Sequence, residues 1–321
     1  MKPRIGLNFN KLKSQLRIDW LRICKLLCVL NLIICFAGLF GKWHWMLDNI
    51  SNFMLLQIIA ATCFSLILFF DSYSWSFYSV LPVLLGLVSI DLPGRKQIEI
   101  NALSKYYTIL TYNVLGSNSE YKKLIEYVEE VDPDFVLLIE ANQNWKIKIL
   151  PLEQKFQSMI AEIRNDNFGI VFLSKHPFTS SRIQSFSKKE IPSTIAQMRI
   201  DEKELTVIGT HTLPPTSQNF WDDRNFHLTG LKNKLDQSDS PLIVAGDLNV
   251  SPWSSYGSIL LGSGDYFDIY DAFIPTWPAD LYPMSITLDY VLYNKFIEKI
   301  SYQVGKNLGS DHLPVIMKFK L

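Results

Sequence analysis

The first 90 residues contain three long apolar runs with few charges. They cover residues 21–40, 50–70 and 75–90. A helix needs about 20 apolar residues to cross the roughly 30 Å hydrocarbon core of a bilayer, so the pattern predicts three transmembrane helices within residues 21–91. The third run is the shortest and contains Pro82 and Gly86, which transmembrane helices tolerate.

The pattern changes after residue 98, where short apolar runs alternate with amphipathic segments. Runs of strand length cover residues 107–113, 134–140, 169–174, 205–211, 242–245, 287–293 and 315–319. Such runs, bounded by turn residues, are typical of buried strands. Segments with apolar positions at helical spacing lie between them, at residues 120–131 and 225–235. We therefore predict an α/β domain over residues 105–321, joined to the apolar part by a linker at residues 92–104.

Charge is distributed unevenly, although the formal net charge is zero. Residues 1–100 carry 10 Lys and Arg against 5 Asp and Glu, so residues 101–321 carry 31 − 10 = 21 against 31 − 5 = 26. This acidic balance does not favour a broad basic surface for non-specific nucleic-acid binding. The basic residues 1–20 should stay in the cytoplasm by the positive-inside rule, and three crossings would then place the α/β domain on the far side.

A cleaved signal peptide is the alternative for the first apolar run. Its apolar part is longer than the about 7 to 15 residues typical of a signal peptide, and no small-residue cleavage site follows it. Two further apolar runs come after it. The apolar part also holds all four cysteines, whose spacing matches no zinc pattern, and we interpret them as small apolar residues: Cys24, Cys28, Cys35 and Cys63.

Acid, amide and imidazole side chains recur where the predicted strands end. Each alone has an ordinary explanation, because Asn, Asp and Gly are common in turns. Together they favour a catalytic site, and the set is Asn113, Glu140, His211, Asp247, Asn249, Asp289, Asp311 and His312. Mg²⁺ binds one or two carboxylates and keeps room for phosphate oxygens, while a histidine held by a carboxylate moves protons. These groups predict phosphoester hydrolysis assisted by Mg²⁺, with Mn²⁺ as an alternative ion.

The same residues resemble the motifs of the endonuclease/exonuclease/phosphatase superfamily, which has the deoxyribonuclease-I-like fold. In chain order the motifs are Thr-Tyr-Asn113, Leu-Ile-Glu140, Gly-Thr-His211, Gly-Asp247-Leu-Asn249, Leu-Asp289-Tyr and Ser-Asp311-His312-Leu-Pro. The resemblance covers about residues 105–321 and extends to a membrane-anchored bacterial branch. It implies a four-layer α/β/β/α sandwich of two packed mixed sheets, preceded by the transmembrane helices.

The resemblance implies a metal site and a site for the attacking water. Glu140 would be the principal metal ligand, with Asn113 and Asp311 close to the ion. Asp247 would align or deprotonate the water. Asn249 would bind a phosphate oxygen, and Asn113 would also contact the substrate.

The resemblance implies roles for the two histidines as well. His312 would contact the scissile phosphate or act as an acid or base, with Asp289 fixing its ring. His211 would donate to the phosphate or to the leaving group. We expect Asp247 to point at an open position near Glu140 and His312, rather than into a turn of its own.

Several further residues have two interpretations. Arg224 would bind a substrate phosphate, as the bacterial branch suggests, or form a surface salt bridge with the aspartates that precede it. Trp253 and Trp277 would stack on the substrate or pack at the rim of a sheet, the more common position for Trp. We interpret His176 as a turn residue and His227 as a helix-face residue.

The favoured hypothesis is an integral protein of a bacterial inner membrane with a periplasmic or extracellular phosphoester hydrolase domain. The substrate would be nucleic acid, as is common in the family, or a phospholipid or small phosphate ester, which the acidic balance and the membrane helices favour. An inactive binding module would lack a core residue, and none is missing. A transporter would need polar groups inside the spans, where Asn31 and Gln57 are the candidates. The predicted partners are therefore the bilayer and a phosphate ester, and no protein partner is predicted.

Overall fold

The chain divides into two compact units, Met1–Ile90 and Asp91–Leu321. The computed structural model describes residues 9–70, 75–77, 80–81, 84, 105–261, 266, 271, 274–281 and 284–321. The predicted linker at residues 92–104 lies outside the described residues. Each unit has an apolar cluster of its own.

The N-terminal unit is helical, with α1 (Phe9–Gly38), α2 (Trp45–Asn52) and α3 (Met54–Phe69). Within the described residues, one helical segment is long and apolar enough to cross a membrane by itself: Asp19–Gly38, with a mean hydropathy of 2.0. The pair α2 and α3 meets the same criterion together but is bent by 60°. The second apolar run, residues 50–70, falls on the end of α2 and on α3, with the helix interrupted at Phe53, and its role as a membrane span stays a prediction. The third falls on residues that the structure describes only in part.

Two amides connect α1 to the break between α2 and α3. The Nδ2 of Asn31 donates to the backbone oxygen of Gln57 at 3.1 Å. The Nε2 of Gln57 donates to the backbone oxygen of Ile50 at 2.9 Å. That oxygen lies in the last turn of α2, where backbone acceptors lose their helical partners. The two amides considered for transport therefore have a structural use at the helix break.

The C-terminal unit contains two sheets within the described residues. Its strands are β1 (Tyr107–Asn113), β2 (Phe135–Ile139), β3 (Ser158–Glu162), β4 (Ile170–Ser174), β5 (Phe178–Ser185), β6 (Pro192–Ile200), β7 (Lys203–His211), β8 (Leu242–Asp247), β9 (Asp289–Tyr293), β10 (Glu298–Val304) and β11 (Val315–Lys320). The first sheet has the order β10-β11-β1-β2-β4-β3, and the second has the order β5-β6-β7-β8-β9. The helices are α4 (Tyr121–Val131), α5 (Gln143–Lys148), α6 (Leu150–Glu153), α7 (Gln218–Gln237) and α8 (Ser255–Leu261).

Both sheets are mixed, and each contains one parallel pair. The strands β1 and β2 run parallel, as do β7 and β8, while the other pairs are antiparallel. Parallel strands bring their carboxyl ends to the same edge of a sheet. Asn113 therefore lies opposite the residue before Glu140, and His211 lies opposite Asp247. Antiparallel β9 adds Asp289 on the other side of Asp247.

The two sheets pack face to face, with helices on both outer sides. The core between them includes Phe135 of the first sheet and Val207 of the second. Leu124 of α4 and Trp145 of α5 are buried with the outer face of the first sheet. Leu231 of α7 is buried on the side of β8. The predicted four-layer α/β/β/α sandwich is therefore confirmed.

Element boundaries agree with the sequence pattern where apolar burial decides them. The helix predicted at residues 120–131 is α4, which ends before Asp132, a residue with φ of 48°. The segment predicted at residues 225–235 is only the second part of α7. This helix begins earlier because the Ser217 side chain accepts from the backbone nitrogen of Phe220 at 3.3 Å, which caps the helix. Strands β3, β5, β6 and β10 were not predicted, and three of them have few buried positions.

His227 lies on the face of α7 that is fully buried. Its Nε2 is 2.9 Å from the Oγ1 of Thr210, which is in turn 2.7 Å from the Oγ of Ser193. Burial lowers the pKa of His227 to about 4, although the charge of Asp223 acts in the opposite direction. The imidazole is therefore neutral in the folded protein near pH 7.

We predict that His227 destabilises the protein in acid. A histidine binds a proton in the unfolded chain below its ordinary pKa of about 6.5, whereas His227 does so in the fold only near pH 4. Stability is therefore lost as pH falls from about 6.5 to 4, by roughly 3 kcal/mol for this residue. His227→Gln should reduce the acid-induced loss by about that amount in denaturant unfolding of the full chain in detergent at pH 7 and pH 4.

Thr210→Val is the matched control, because it removes the same hydrogen bond without removing an ionisable group. Its loss of stability should be similar at both pH values. An unchanged pH dependence in His227→Gln would contradict the prediction.

Candidate active site

Two contacts join the polar edges of the two sheets. The Nδ2 of Asn113, on the first sheet, donates to the Oδ2 of Asp247, on the second, at 3.3 Å. The Nδ1 of His312, which precedes β11 of the first sheet, is 2.8 Å from the Oδ2 of Asp289 on the second. The site is therefore built across the sandwich, with each sheet supplying part of it.

Two glycines allow the backbone of the site to approach its neighbours. Gly246 has φ of +136°, and a Cβ there would lie 1.8 Å from the backbone oxygen of Thr210. Gly309 has φ of +97°, and a Cβ there would lie 2.7 Å from the Cγ of Glu120. Any other residue would therefore displace Asp247 or the loop that carries His312.

Asn113 and Glu140 form the side of the site that belongs to the first sheet. The Oδ1 of Asn113 accepts from the backbone nitrogen of Leu115 at 3.1 Å, so its Nδ2 faces Glu140 Oε1 at 2.9 Å. Glu140 has φ of 63°, a left-handed conformation that is uncommon for a residue with a side chain. The amide nitrogen of Asn113 thus orients Glu140, while its oxygen accepts one backbone hydrogen bond and keeps a second lone pair, so the place of Asn113 beside the ion stays a prediction.

The loop before β11 is anchored at its base. The backbone nitrogen of Ser310 donates to the Oη of the fully buried Tyr112 at 3.3 Å. The Oγ of Ser310 accepts from the backbone nitrogen of His312 at 3.1 Å. These contacts fix the backbone from which Asp311 and His312 project. The Nδ1 of His312 is engaged by Asp289, so its Nε2 is directed at Asp247, 3.6 Å from the Oδ2.

Asp247 occupies the centre of the arrangement. Its Oδ2 is 3.7 Å from the Nε2 of His211 and a similar distance from His312, so the three side chains converge on one position. Its Oδ1 accepts from the backbone nitrogen of Asn249 at 2.8 Å. The expectation that Asp247 faces the site is thus met by one oxygen. The expectation that it avoids a turn of its own is wrong, because the other oxygen closes that turn.

Burial and mutual repulsion set the charge state of these groups. Burial, followed by the charge of Asp289, raises the pKa of Asp247. Burial also raises the pKa of Glu140, against the hydrogen bond from Asn113. Burial would lower the pKa of His312, but the carboxylates of Asp289 and Asp247 together raise it to about 10. His312 is therefore an imidazolium near neutral pH.

His211 has the opposite charge state. Burial lowers its pKa to about 4, and the positive charge of His312 acts in the same direction. The ring of Phe168 lies beside it, with centroids 5.0 Å apart. His211 is therefore a neutral donor or acceptor next to a charged histidine.

Asn249 and Arg224 are linked beneath the site. The Nδ2 of Asn249 donates to the backbone oxygen of Thr212 at 2.8 Å, and φ of Asn249 is 46°. The Nη1 of Arg224 donates to the backbone oxygen of Asn249 at 3.0 Å, while its Nε donates to the Oδ1 of Asn225 at 3.0 Å. Arg224 is fully buried. Interpreting it as one half of a surface salt bridge with Asp222 or Asp223 is therefore wrong, and its contact with the site runs through the Asn249 backbone.

The donor set of the site fits a hard cation. The Oε2 of Glu140 is buried with no hydrogen-bond partner among the described residues. Burial raises the pKa of Glu140, and the charge of Asp311 adds to this in the same direction. Ligand atoms of Asp247, Asp289 and His312 also lie within 4.8 Å of one another. A cation there would compete with the proton of His312, so Glu140 and Asp311 are the better pair of oxygen ligands.

Three residues near the site were missed or left undecided by the sequence. Thr276 is fully buried, and its Oγ1 accepts from the backbone nitrogen of Asp289 at 3.2 Å. Trp277 is half-buried and contacts Asp311. Phe168 lies just before β4, and its ring lies beside His211. Of these, Trp277 was considered in the sequence for stacking or packing, whereas no local pattern marks Thr276 or Phe168.

Comparisons with known proteins identify the family and the fold. The model of the Endonuclease/Exonuclease/phosphatase family matches residues 110–312. No curated protein matches the chain. Similar solved structures include humanized D. rerio TDP2, with 18% identity over 68% of this chain and 100% of that chain and a TM-score of 0.58. An endonuclease/exonuclease/phosphatase from Beutenbergia cavernae has 18% identity over 68% of this chain and 72% of that chain, with a TM-score of 0.55.

A third similar structure is the endonuclease/exonuclease/phosphatase from Bacteroides vulgatus, with 16% identity over 68% of this chain and 100% of that chain and a TM-score of 0.57. At these identities the likeness shows the fold. The family match covers more than half of the chain and contains every residue of the converging site, from Asn113 to His312. The chain therefore belongs to the endonuclease/exonuclease/phosphatase family.

Proposed function

We propose that this chain is a membrane-anchored phosphodiester hydrolase that depends on a divalent cation, Mg²⁺ or Mn²⁺. The observation that carries the proposal is the convergence of Asp247, His211 and His312 on one position. Asp289 orients one histidine there, and Glu140 lies beyond Asn113. A structural role does not require buried acids and imidazoles of different charge state to face one another.

Glu140 and Asp311 would hold the cation. When bound, a divalent cation neutralises charge on the phosphoryl oxygens and on the departing oxygen. The buried Oε2 of Glu140 offers a ligand atom. The bond from Asn113 keeps the other oxygen of Glu140 fixed.

Asp247 would act on the attacking water. Its raised pKa makes it a better proton acceptor than an exposed carboxylate, because general bases work best with a pKa near the operating pH. The turn that holds its Oδ1 leaves Oδ2 directed at the site. The water oxygen forms the new bond to phosphorus while its proton passes to this carboxylate, and the ester P–O bond breaks.

The two histidines would bind the phosphate in different ways. The imidazolium of His312 stabilises the negative phosphoryl oxygens and supplies the proton that the departing oxygen requires. The neutral His211 offers an uncharged contact to the same group. Asn249 contributes an amide, which carries two N–H hydrogens, and one of them is directed to Thr212.

The proposed class of substrate rests on the net charge of residues 101–321 and on attachment to a membrane through the N-terminal helix. Residues 101–321 carry 21 basic against 26 acidic side chains (31 − 10 and 31 − 5), which does not suit a polyanion that is bound mainly through its backbone. The apolar helix Asp19–Gly38 would keep the site close to a bilayer. Both features favour a phospholipid or small phosphate ester over nucleic acid.

Single substitutions in the convergent cluster should abolish most activity. We expect Glu140→Ala, Asp247→Ala and His312→Ala each to lower kcat/KM for a small phosphodiester by at least about a hundredfold, because each removes a charge that acts in the transition state. Thermal unfolding should show that the fold persists. Glu129→Ala removes an exposed ion pair with Lys155 and serves as the control. Retained activity in any two site variants, or activity that survives EDTA, would contradict the mechanism.

A substrate panel tests the preference between lipid and nucleic acid. The full chain in detergent with Mg²⁺ should hydrolyse a phospholipid phosphodiester in micelles or a nitrophenyl phosphodiester faster than it nicks plasmid DNA. The physical reason is the acidic balance of residues 101–321, which repels a polyanion. Faster cleavage of plasmid DNA at equal phosphodiester concentration would identify a nuclease instead.

Arg224 should affect turnover through Asn249. Arg224→Lys keeps the charge but loses the planar fork, so we expect kcat to fall about tenfold with little change in KM. Arg224→Lys should lower kcat less in an Asn249→Ala variant, because the effects of substitutions at interacting residues are not additive. A rise in KM at constant kcat would instead identify Arg224 as a direct substrate contact.

A further inference from the structure

The segment Thr276–Ala279 lies against the loop that carries Asp311 and His312. The indole Nε1 of Trp277 donates to the Oδ2 of Asp311 at 3.0 Å. The backbone nitrogen of Ala279 donates to the backbone oxygen of Asp311 at 2.7 Å. One residue of the loop is therefore held by both its side chain and its backbone.

The backbone of Thr276 and Trp277 is held by hydrogen bonds to neighbouring segments. The backbone nitrogen and oxygen of Trp277 both bond to Ile286, at 3.0 and 2.6 Å. The backbone oxygen of Thr276 accepts from Leu313 at 2.9 Å, on the other side of the loop. These backbone hydrogen bonds fix the position of the indole N–H.

Asp311 requires such support because its side chain is exposed. An exposed carboxylate rotates freely unless a donor holds one of its oxygens. The indole engages Oδ2, and the Ser310 hydroxyl lies 3.3 Å from Oδ1. Each carboxylate oxygen still has a lone pair for another ligand. Groups that hydrogen-bond to a ligating carboxylate orient it and tune its affinity for metal.

We infer that Trp277 is a positioning residue that orients the Asp311 carboxylate for the divalent cation, and is not primarily a stacking surface for the substrate. The inference rests on the proposed function, in which Asp311 is a ligand. The ring of Trp277 is half-buried, and its centroid is 6.3 Å from that of His312. The indole N–H is the polar atom of this side chain, and it is directed at the carboxylate.

Calorimetric titration of the full chain in detergent with Mn²⁺ tests the inference without substrate. Trp277→Phe keeps an aromatic ring but removes the N–H donor, and we expect Mn²⁺ affinity to fall about tenfold. Asp311→Asn should also weaken binding. In the double variant, the Trp277 substitution should add little to the effect of Asp311→Asn, because its action runs through that carboxylate.

Two controls separate positioning from a general structural effect. Trp253→Phe, at another half-buried tryptophan, should leave Mn²⁺ affinity unchanged. Mn²⁺ should quench part of the tryptophan fluorescence of the natural chain, and this part should be missing in Trp277→Phe. A loss of affinity that is equally large in both Asp311 backgrounds would overturn the inference.

The outcome also distinguishes this inference from the proposed function. If the natural chain binds Mn²⁺ and Trp277→Phe binds it equally well, Trp277 does not position Asp311, while the metal-dependent mechanism stands. If Trp277→Phe keeps its Mn²⁺ affinity and raises only the KM for substrate, Trp277 is a stacking surface. If the natural chain binds no Mn²⁺, both the inference and the metal dependence are overturned.

Discussion

The burial of several carboxylates at one edge of a two-sheet sandwich is the constraint on which the rest of the structure depends. Asp247 and Asp289 are both almost completely buried, and Glu140 lies close enough for its charge to act on Asp247. Charges removed from water are costly unless they are paired. His312 meets part of this requirement as a buried imidazolium whose pKa the carboxylates hold near 10. The remaining negative charge favours the cation that we propose beside Glu140.

Strand pairing and hydrogen bonds hold these buried charges close together. Parallel pairing within each sheet brings the strand ends to one edge, and the two edges meet through Asn113 and His312. Close approach is possible because Gly246 has no side chain. The backbone nitrogen of Asn249 and the side chain of Asn113 supply hydrogen bonds to Asp247 and Glu140, so the arrangement exists before any substrate arrives. Such preorganised groups are the main source of electrostatic catalysis.

The same arrangement explains how two histidines a few ångströms from one carboxylate can take different roles. His312 has a carboxylate partner on its second ring nitrogen and is charged, whereas burial beside that charge keeps His211 neutral. Environments that push pKa values apart allow one site to supply both a charged and an uncharged donor. The proposed hydrolysis uses this difference, with Asp247 accepting the proton of the attacking water.

Much of this protein was determined by its sequence alone, because apolar runs that end in polar residues follow directly from burial. The buried strands other than β6, helix α4, the four-layer fold and the residues of the converging site were predicted in this way or from the motifs they form. Strands β3, β5 and β10 were missed because they have few buried positions and exist through pairing with a neighbour. The buried position of Arg224 and the contact between Trp277 and Asp311 were decided only by the tertiary structure. Arg224 contacts Asn249, and Trp277 contacts Asp311, across more than 20 positions of the chain. No local sequence pattern encodes a contact at that separation.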